Sequence, residues 1–354
     1  MFSFRTTPIG EQMDRTLREG KVGVFATQNS WDPSTGMYLY EIFESRGNLE
    51  AVFSPSEAEL GDEESHIEFD VDSIAALDAV VVEIQDAGSR YFPFTVDFLR
   101  LMSTINTLDR APSLYVIDHP NPAGRNVEGT MPSIGHDIWT PQVPHRHGLT
   151  LGELAHLYYN EISAHYPLHL ISASACASGG LLMPWSIAPS PDITGFFSCQ
   201  MYSGGALWKD TSITPGIGTP RPYEYFGAPF IRPESGNLLP VPEGVKMRPC
   251  TFTPSFGPYA GEKCSGYQTI LLPGAQYHSL LHTLRLMKHF LGKYSQFTLS
   301  DALFARLADP VCEAYLRGDI TFDIVQEHVK AEEQKWIRKA KRFVLYDDTP
   351  CRIK

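Results

Sequence analysis

Apolar residues fall into two textures along this chain. Through the first half, short runs rich in Val, Ile and Leu recur at Val22–Ala26, Leu49–Phe53, Ala79–Ile84, Leu114–Ile117 and Leu168–Ser172. Runs this short, with little polar alternation, predict strands buried on both faces, as in a parallel sheet. Between them lie segments of helical character, around Met37–Ser45, Val96–Leu108 and Leu151–His165. That β-α alternation predicts a parallel sheet with helices on both faces. The start of the third helix is marked by a capping box, Thr150 with Glu153, ahead of an apolar stripe of Leu154, Leu157, Tyr158 and Ile162.

From about Trp185 to Pro258 the chain turns dense in Pro and Gly, where regular elements should be short. Beyond it the pattern predicts a strand at Tyr267–Leu272 and helices at Leu280–Leu291, Ala302–Leu307 and Ile324–Phe343. The expected fold class is α/β: a Rossmann-like, doubly wound parallel sheet domain over 20–195, followed by a smaller α+β domain over 196–354 that closes a cleft. Residues 1–19 read as an N-terminal extension.

The length of 354 residues suits two domains, and 43% apolar residues supply material for both cores. A formal net charge of −12 repels nucleic acid and anionic membrane surfaces, so neither is an expected partner. No apolar run is long enough for a signal-peptide core or a membrane span, and the chain reads as cytoplasmic. The six cysteines show no CxxC pair or ligand-like spacing. Nothing in the pattern bears on oligomeric state.

Ligands of open parallel sheets bind outside the carboxyl ends of the strands. Those ends are polar here: Thr27-Gln28-Asn29, Ser54-Pro55-Ser56-Glu57, Gln85-Asp86-Ala87-Gly88-Ser89-Arg90 and Asp118-His119-Pro120-Asn121. Each such residue also has an ordinary use in capping helices and closing loops. No glycine-rich phosphate loop is present, so no nucleotide cofactor is expected. The pair His145 and His147 lacks a third ligand at a recognisable spacing, so no metal is expected either. Hydrogen bonding to a polar ligand suits the two histidines better.

Several ordered segments carry a resemblance: VVVEIQDAGSRYFPF, LYVIDHPNPAGRNVEG, VPHRHGLTLGELAHLYYNE, IAPSPD, YEYFGAPFI, FTPSFGPYAGEKCSGYQ and KAKRFVLYDD. Together, over about Gly20 to Asp348, they resemble the exo-β-N-acetylmuramidase (NamZ-like) family. The resemblance implies removal of terminal N-acetylmuramic acid from peptidoglycan fragments in a cleft between a Rossmann-like and a second domain. The ligand would then be a small carbohydrate or muropeptide.

The chain departs from the family at positions that matter. Ser54-Pro55-Ser56-Glu57-Ala58 stands where the family reads Gly-Pro-Glu-His-Gly, so the favoured catalytic glutamate is Ser56 unless Glu57 substitutes through a one-residue shift. The family's aspartate before Ile-Gln-Asp is Glu83, and its Asp-Arg-Pro-Asn-Pro carries His119 in place of arginine. A second arginine is replaced in Gly216-Ile217-Gly218-Thr219. Muramic acid bears a lactyl carboxylate that arginine binds well; Arg90, Arg125 and Arg146 are the possible substitutes.

Glycosidases ordinarily use two carboxyl groups. The candidates are Glu57 or Asp86 as acid/base and Asp118 as the second carboxylate, with Asn29, Ser56, Gln85, Arg90, Asn121, His145, His147, Asp192 and Thr219 positioning the sugar. Gln85, Asp86, Arg90, Asp118, Asn121 and His147 are expected to line one cleft. The rival expectation is a non-catalytic glycan-binding relative that lost the glutamate. A metal-dependent hydrolase using His145, His147 and Asp118 stands third.

Overall fold

A computed structural model of the chain describes residues 2–5, 13–32, 35–54, 67–133, 141–172, 187–234 and 239–346. The first domain is built on a six-stranded, all-parallel sheet: β1 (Phe2–Arg5), β2 (Val22–Ala26), β5 (Leu49–Phe53), β6 (Ala79–Glu83), β7 (Ser113–Asp118) and β8 (Leu168–Ser172), in the order β1-β8-β7-β6-β2-β5. Residues 2–5 thus form an edge strand beside β8. A two-stranded ribbon, β3 (Trp31–Asp32) with β4 (Met37–Tyr38), precedes the first crossover helix.

Successive residues of these strands feed opposite faces, and two cores result. Val22, Val24, Ala79, Val81, Tyr115 and Ile117 pack with Leu17 of α1 (Arg15–Glu19) and with Leu39 and Phe43 of α2 (Leu39–Arg46). On the other face, Phe25, Val80, Val82, Leu114, Val116 and Leu168 pack with Ile74 of α3 (Val71–Ala75). The same core takes Phe98 and Met102 of α4 (Pro93–Asn106) and Leu151 and Ala155 of α5 (Leu151–Glu161). From β2 the chain steps one way to β5 and then crosses back to β6, β7 and β8. The strand order therefore reverses between β2 and β6, where doubly wound sheets open their ligand crevice.

Helix α5 begins at the expected capping box, with the Thr150 hydroxyl accepting from the Glu153 amide. It ends earlier than its apolar stripe suggests, because Ser163 turns into the left-handed region at φ 50°.

The Pro/Gly-rich stretch holds more regular structure than its composition implies: α6 (Phe196–Gly205), β9 (Tyr225–Ala228) and β10 (Val245–Phe252). Strands β10, β11 (Cys264–Leu271) and β9 form an antiparallel sheet in that order. Helices α7 (Ser279–Lys293), α8 (Asp301–Leu307), α9 (Pro310–Arg317) and α10 (Phe322–Ala340) follow. Trp208, Phe226, Phe290 and Phe297 centre the second core, the first two stacked at 5.2 Å between ring centroids.

The two halves share buried surface. Cys199, Met201 and Tyr202 of α6, with Tyr223 and Tyr277, belong to the same core cluster as strands β6 and β7. The end of the chain returns to the first domain, where Trp336 of α10 packs with Leu154 and Leu157 of α5 and donates its indole N–H to the His147 carbonyl at 2.8 Å.

Candidate active site at the carboxyl edge of the sheet

The site is assembled by loops leaving β2, β6 and β7. After β2, the side-chain amides of Gln28 and Asn29 donate to the carbonyls of Ala188 and Ile187, each at 2.5 Å, tying the 187–192 segment to the loop that leaves β2. Asp192 on that segment faces Lys209, with Nζ 3.6 Å from Oδ2.

After β6, Gly88 adopts a positive φ of 78°, and its amide turns back to Asp86 Oδ2 at 2.8 Å. The other Asp86 oxygen accepts from the Thr95 hydroxyl at 2.7 Å. His147 Nδ1 accepts from the Leu149 amide, so the neutral ring carries its proton on Nε2, 3.2 Å from Asp86 Oδ2 and off the line of a hydrogen bond.

After β7, Asp118 is enclosed at the start of α5. Its oxygens accept from the Gly152 amide (2.8 Å), the Thr150 hydroxyl (2.6 Å) and the Tyr346 hydroxyl (2.7 Å). Gly152 permits this approach, because a side chain there would strike the carboxylate. Burial pushes the Asp118 pKa up to about 6 against the pull of those three hydrogen bonds.

The six residues expected to line one cleft are divided in the structure. Gln85, Asp86, Asp118, Asn121 and His147 do share the carboxyl edge of the sheet. Asp86, Asp118 and His147 are sealed there, however, at 3% exposure or less, and both oxygens of each aspartate are engaged by the protein. Gln85 donates to the carbonyls of Asp86 and Pro120, and Asn121 bridges the Leu149 carbonyl and the Ala123 amide. The order of these loops demanded so many donors and acceptors that the residues chosen as ligands serve as braces.

Arg90 leaves the edge altogether. Its guanidinium donates to the carbonyls of Thr130, Arg306 and Leu307, the last two at the carboxyl end of α8. His145 lies beside it, and burial together with the Arg90 charge holds its pKa well below the usual imidazole range. His145 and His147 thus face different partners. Among the described residues, no group of three His, Cys, Asp or Glu is placed to hold a metal ion. Thr219 is held in a turn by the Gly216 carbonyl. Ser56 and Glu57 lie outside the described residues.

The other two arginines are also engaged. Arg125 binds the Glu153 carboxylate, and Arg146 forms a fully buried ion pair with Glu128 at 2.8 Å while donating to the Gln200 carbonyl on α6. Glu128 in turn accepts from the Ser279 hydroxyl at 2.5 Å, joining α7 to the network.

One titratable pair at this edge remains partly open. Glu83 is the last residue of β6 and His119 the first after β7, with His119 Nε2 3.2 Å from Glu83 Oε1. Their side chains are 17% and 25% exposed, respectively. The sequence marked both as departures from a family pattern. What it lacked was their pairing, which follows from the parallel register that sets Val82 against Val116.

Comparison with known proteins follows the same two-part division. A family model described as the N-terminal part of exo-β-N-acetylmuramidase NamZ matches residues 29–196, and one for its C-terminal part matches residues 200–346. The peptidoglycan β-N-acetylmuramidase NamZ of Bacillus subtilis (strain 168) is 27% identical over 288 residues, covering 76% of this chain and 68% of that protein. Two crystal structures of DUF1343 family proteins from Bacteroides fragilis NCTC 9343 share the fold. One has a TM-score of 0.77 at 19% identity, over 96% of this chain and 97% of the other. The second has a TM-score of 0.73 at 21% identity, over 94% and 96%.

Proposed function

Since the chain belongs to the exo-β-N-acetylmuramidase NamZ family, we propose that it is an exo-acting glycosidase removing a terminal N-acetylmuramic acid from peptidoglycan fragments. The observation that carries this reading is the match of both family parts, in order, over nearly the whole chain, including the loops that build the carboxyl edge of the sheet. The substrate is a small, soluble muropeptide or disaccharide. Among the described residues no helix is long and apolar enough to cross a membrane.

The engaged state of Asp86 and Asp118 favours a second reading, a glycan-binding relative without turnover, because neither carboxylate is open to a substrate oxygen. Glu57 is the remaining carboxylate from the original set that could serve as acid. Turnover of an aryl N-acetyl-β-muramide, with the matching N-acetyl-β-glucosaminide as comparison and Glu57→Gln as control, separates the two. The glycosidase reading expects faster hydrolysis of the muramide. Binding of N-acetylmuramic acid by calorimetry with no turnover of either glycoside would leave only the binding relative.

A further inference from the structure

We propose that Glu83 and His119 form a carboxylate–imidazole dyad in which His119 moves the proton at the scissile glycosidic oxygen. The inference rests on the glycosidase reading above and names the group that performs its proton transfer.

Position comes first. Glu83 ends β6, which borders the strand-order reversal, and His119 follows the adjacent β7, so the pair lies at the carboxyl edge of the sheet beside that reversal. Asp86, Asp118, His145 and His147 are each exposed by 3% or less, whereas Glu83 and His119 keep solvent-facing surface. A proton donor to a ligand needs that access.

The imidazole is also correctly loaded. Nε2 is taken by Glu83, and among the described residues Nδ1 has no hydrogen-bond partner. With Nε2–H directed at the carboxylate, the neutral ring offers a lone pair at Nδ1 and the protonated ring offers an N–H there. The charged groups facing His119 are Glu83 from β6 and Asp118 from β7, both acidic. Burial works to lower its pKa; the Glu83 hydrogen bond and the two negative charges outweigh burial and raise it. An imidazole held toward its protonated form in this way suits a general acid.

The reaction balances without any further reagent. The Nδ1 proton passes to the glycosidic oxygen as the bond from that oxygen to the anomeric carbon breaks, and the bonding pair stays on the departing alcohol. Water then adds to the anomeric carbon and surrenders a proton to Nδ1, restoring the imidazolium. One water is consumed per bond cleaved. Glu83 is a positioning residue; His119 meets the substrate.

The test compares two leaving groups. On an N-acetylmuramic acid disaccharide, whose alcohol leaves poorly, His119→Ala should lower kcat/KM by about 100-fold or more. On the 2,4-dinitrophenyl glycoside, whose phenolate leaves without a proton, the loss should be under about 10-fold. Glu83→Gln should move the alkaline limb of the pH profile to lower pH, since the charge favouring the imidazolium is gone. Equal losses on both leaving groups, an unmoved alkaline limb, or undiminished disaccharide turnover by His119→Ala would each overturn the dyad alone. No turnover of either glycoside by the unmodified protein would overturn the glycosidase reading and the dyad with it.

Discussion

Burial raises the carboxyl pKa of Asp118 to about 6, although the Thr150, Gly152 and Tyr346 donors pull it down. An unfolded aspartate titrates near ~3.9, so between these values the native state binds more protons than the unfolded one, and stability falls as pH rises. The contribution is complete below about pH 4 and lost through about pH 6, an effect on the order of 3 kcal/mol. Asp118→Asn removes the titration. Urea unfolding from pH 4 to 7 should show the variant gaining on the parent by about that amount; parallel curves would refute it. The Arg146–Glu128 pair obeys a different rule, since both partners are at 2% exposure or less. Glu128→Gln leaves a buried guanidinium without its counter-charge, and equilibrium unfolding should register a loss of about 3–5 kcal/mol. The double replacement Glu128→Leu with Arg146→Met should cost less than the single one, a comparison read directly from the same unfolding curves.

At the scale of elements, the last described segment works as a strap. The 3₁₀ turn Lys341–Phe343 follows α10, the Leu345 amide donates to Glu153 at 2.8 Å, and the Tyr346 hydroxyl donates to Asp118. Tyr346→Phe deletes one donor and should cost about 1 kcal/mol by thermal unfolding, while raising the Asp118 pKa further. Little of this strap was legible in the sequence, because its partners are some 200 residues away and no local pattern encodes such pairing. Strand β2, by contrast, coincides with its apolar run because it is buried throughout, and β5 and β8 coincide with theirs although β5 lies at the sheet edge with Glu50 and Val52 exposed. Strand β10 escaped because it is an edge strand, buried only at Val245 and Phe252, largely exposed between them and tolerating Pro249. Helix α6 was hidden by Gly204 and Gly205, yet Gly204 is what lets α6 approach the Ser279 backbone of α7. The carboxyl-edge residues were legible as polar and as neighbours. Their division into braces and open groups was not, because it depends on which loop supplies each hydrogen bond.

For the whole molecule, the two domains are fastened by Arg90 to α8, Arg146 to α6, Trp336 to the His147 carbonyl, and a core cluster continuous from β6 to Tyr277. Heating should give one calorimetric transition whose van't Hoff and calorimetric enthalpies agree; two resolved peaks would show that these ties are weaker than either core. The strap has a further consequence during synthesis on the ribosome. Asp118, Glu153 and the rest of the parallel sheet are translated long before Leu345 and Tyr346. Until those residues emerge, the nascent first domain must hold Glu153 and Asp118 each short of one donor that the finished chain supplies, and Trp336 is not yet there to cover Leu154 and Leu157. Completion of the first domain is therefore coupled to the emergence of Leu345 and Tyr346, and messages truncated ahead of the Leu345 codon should yield chains that chaperones retain.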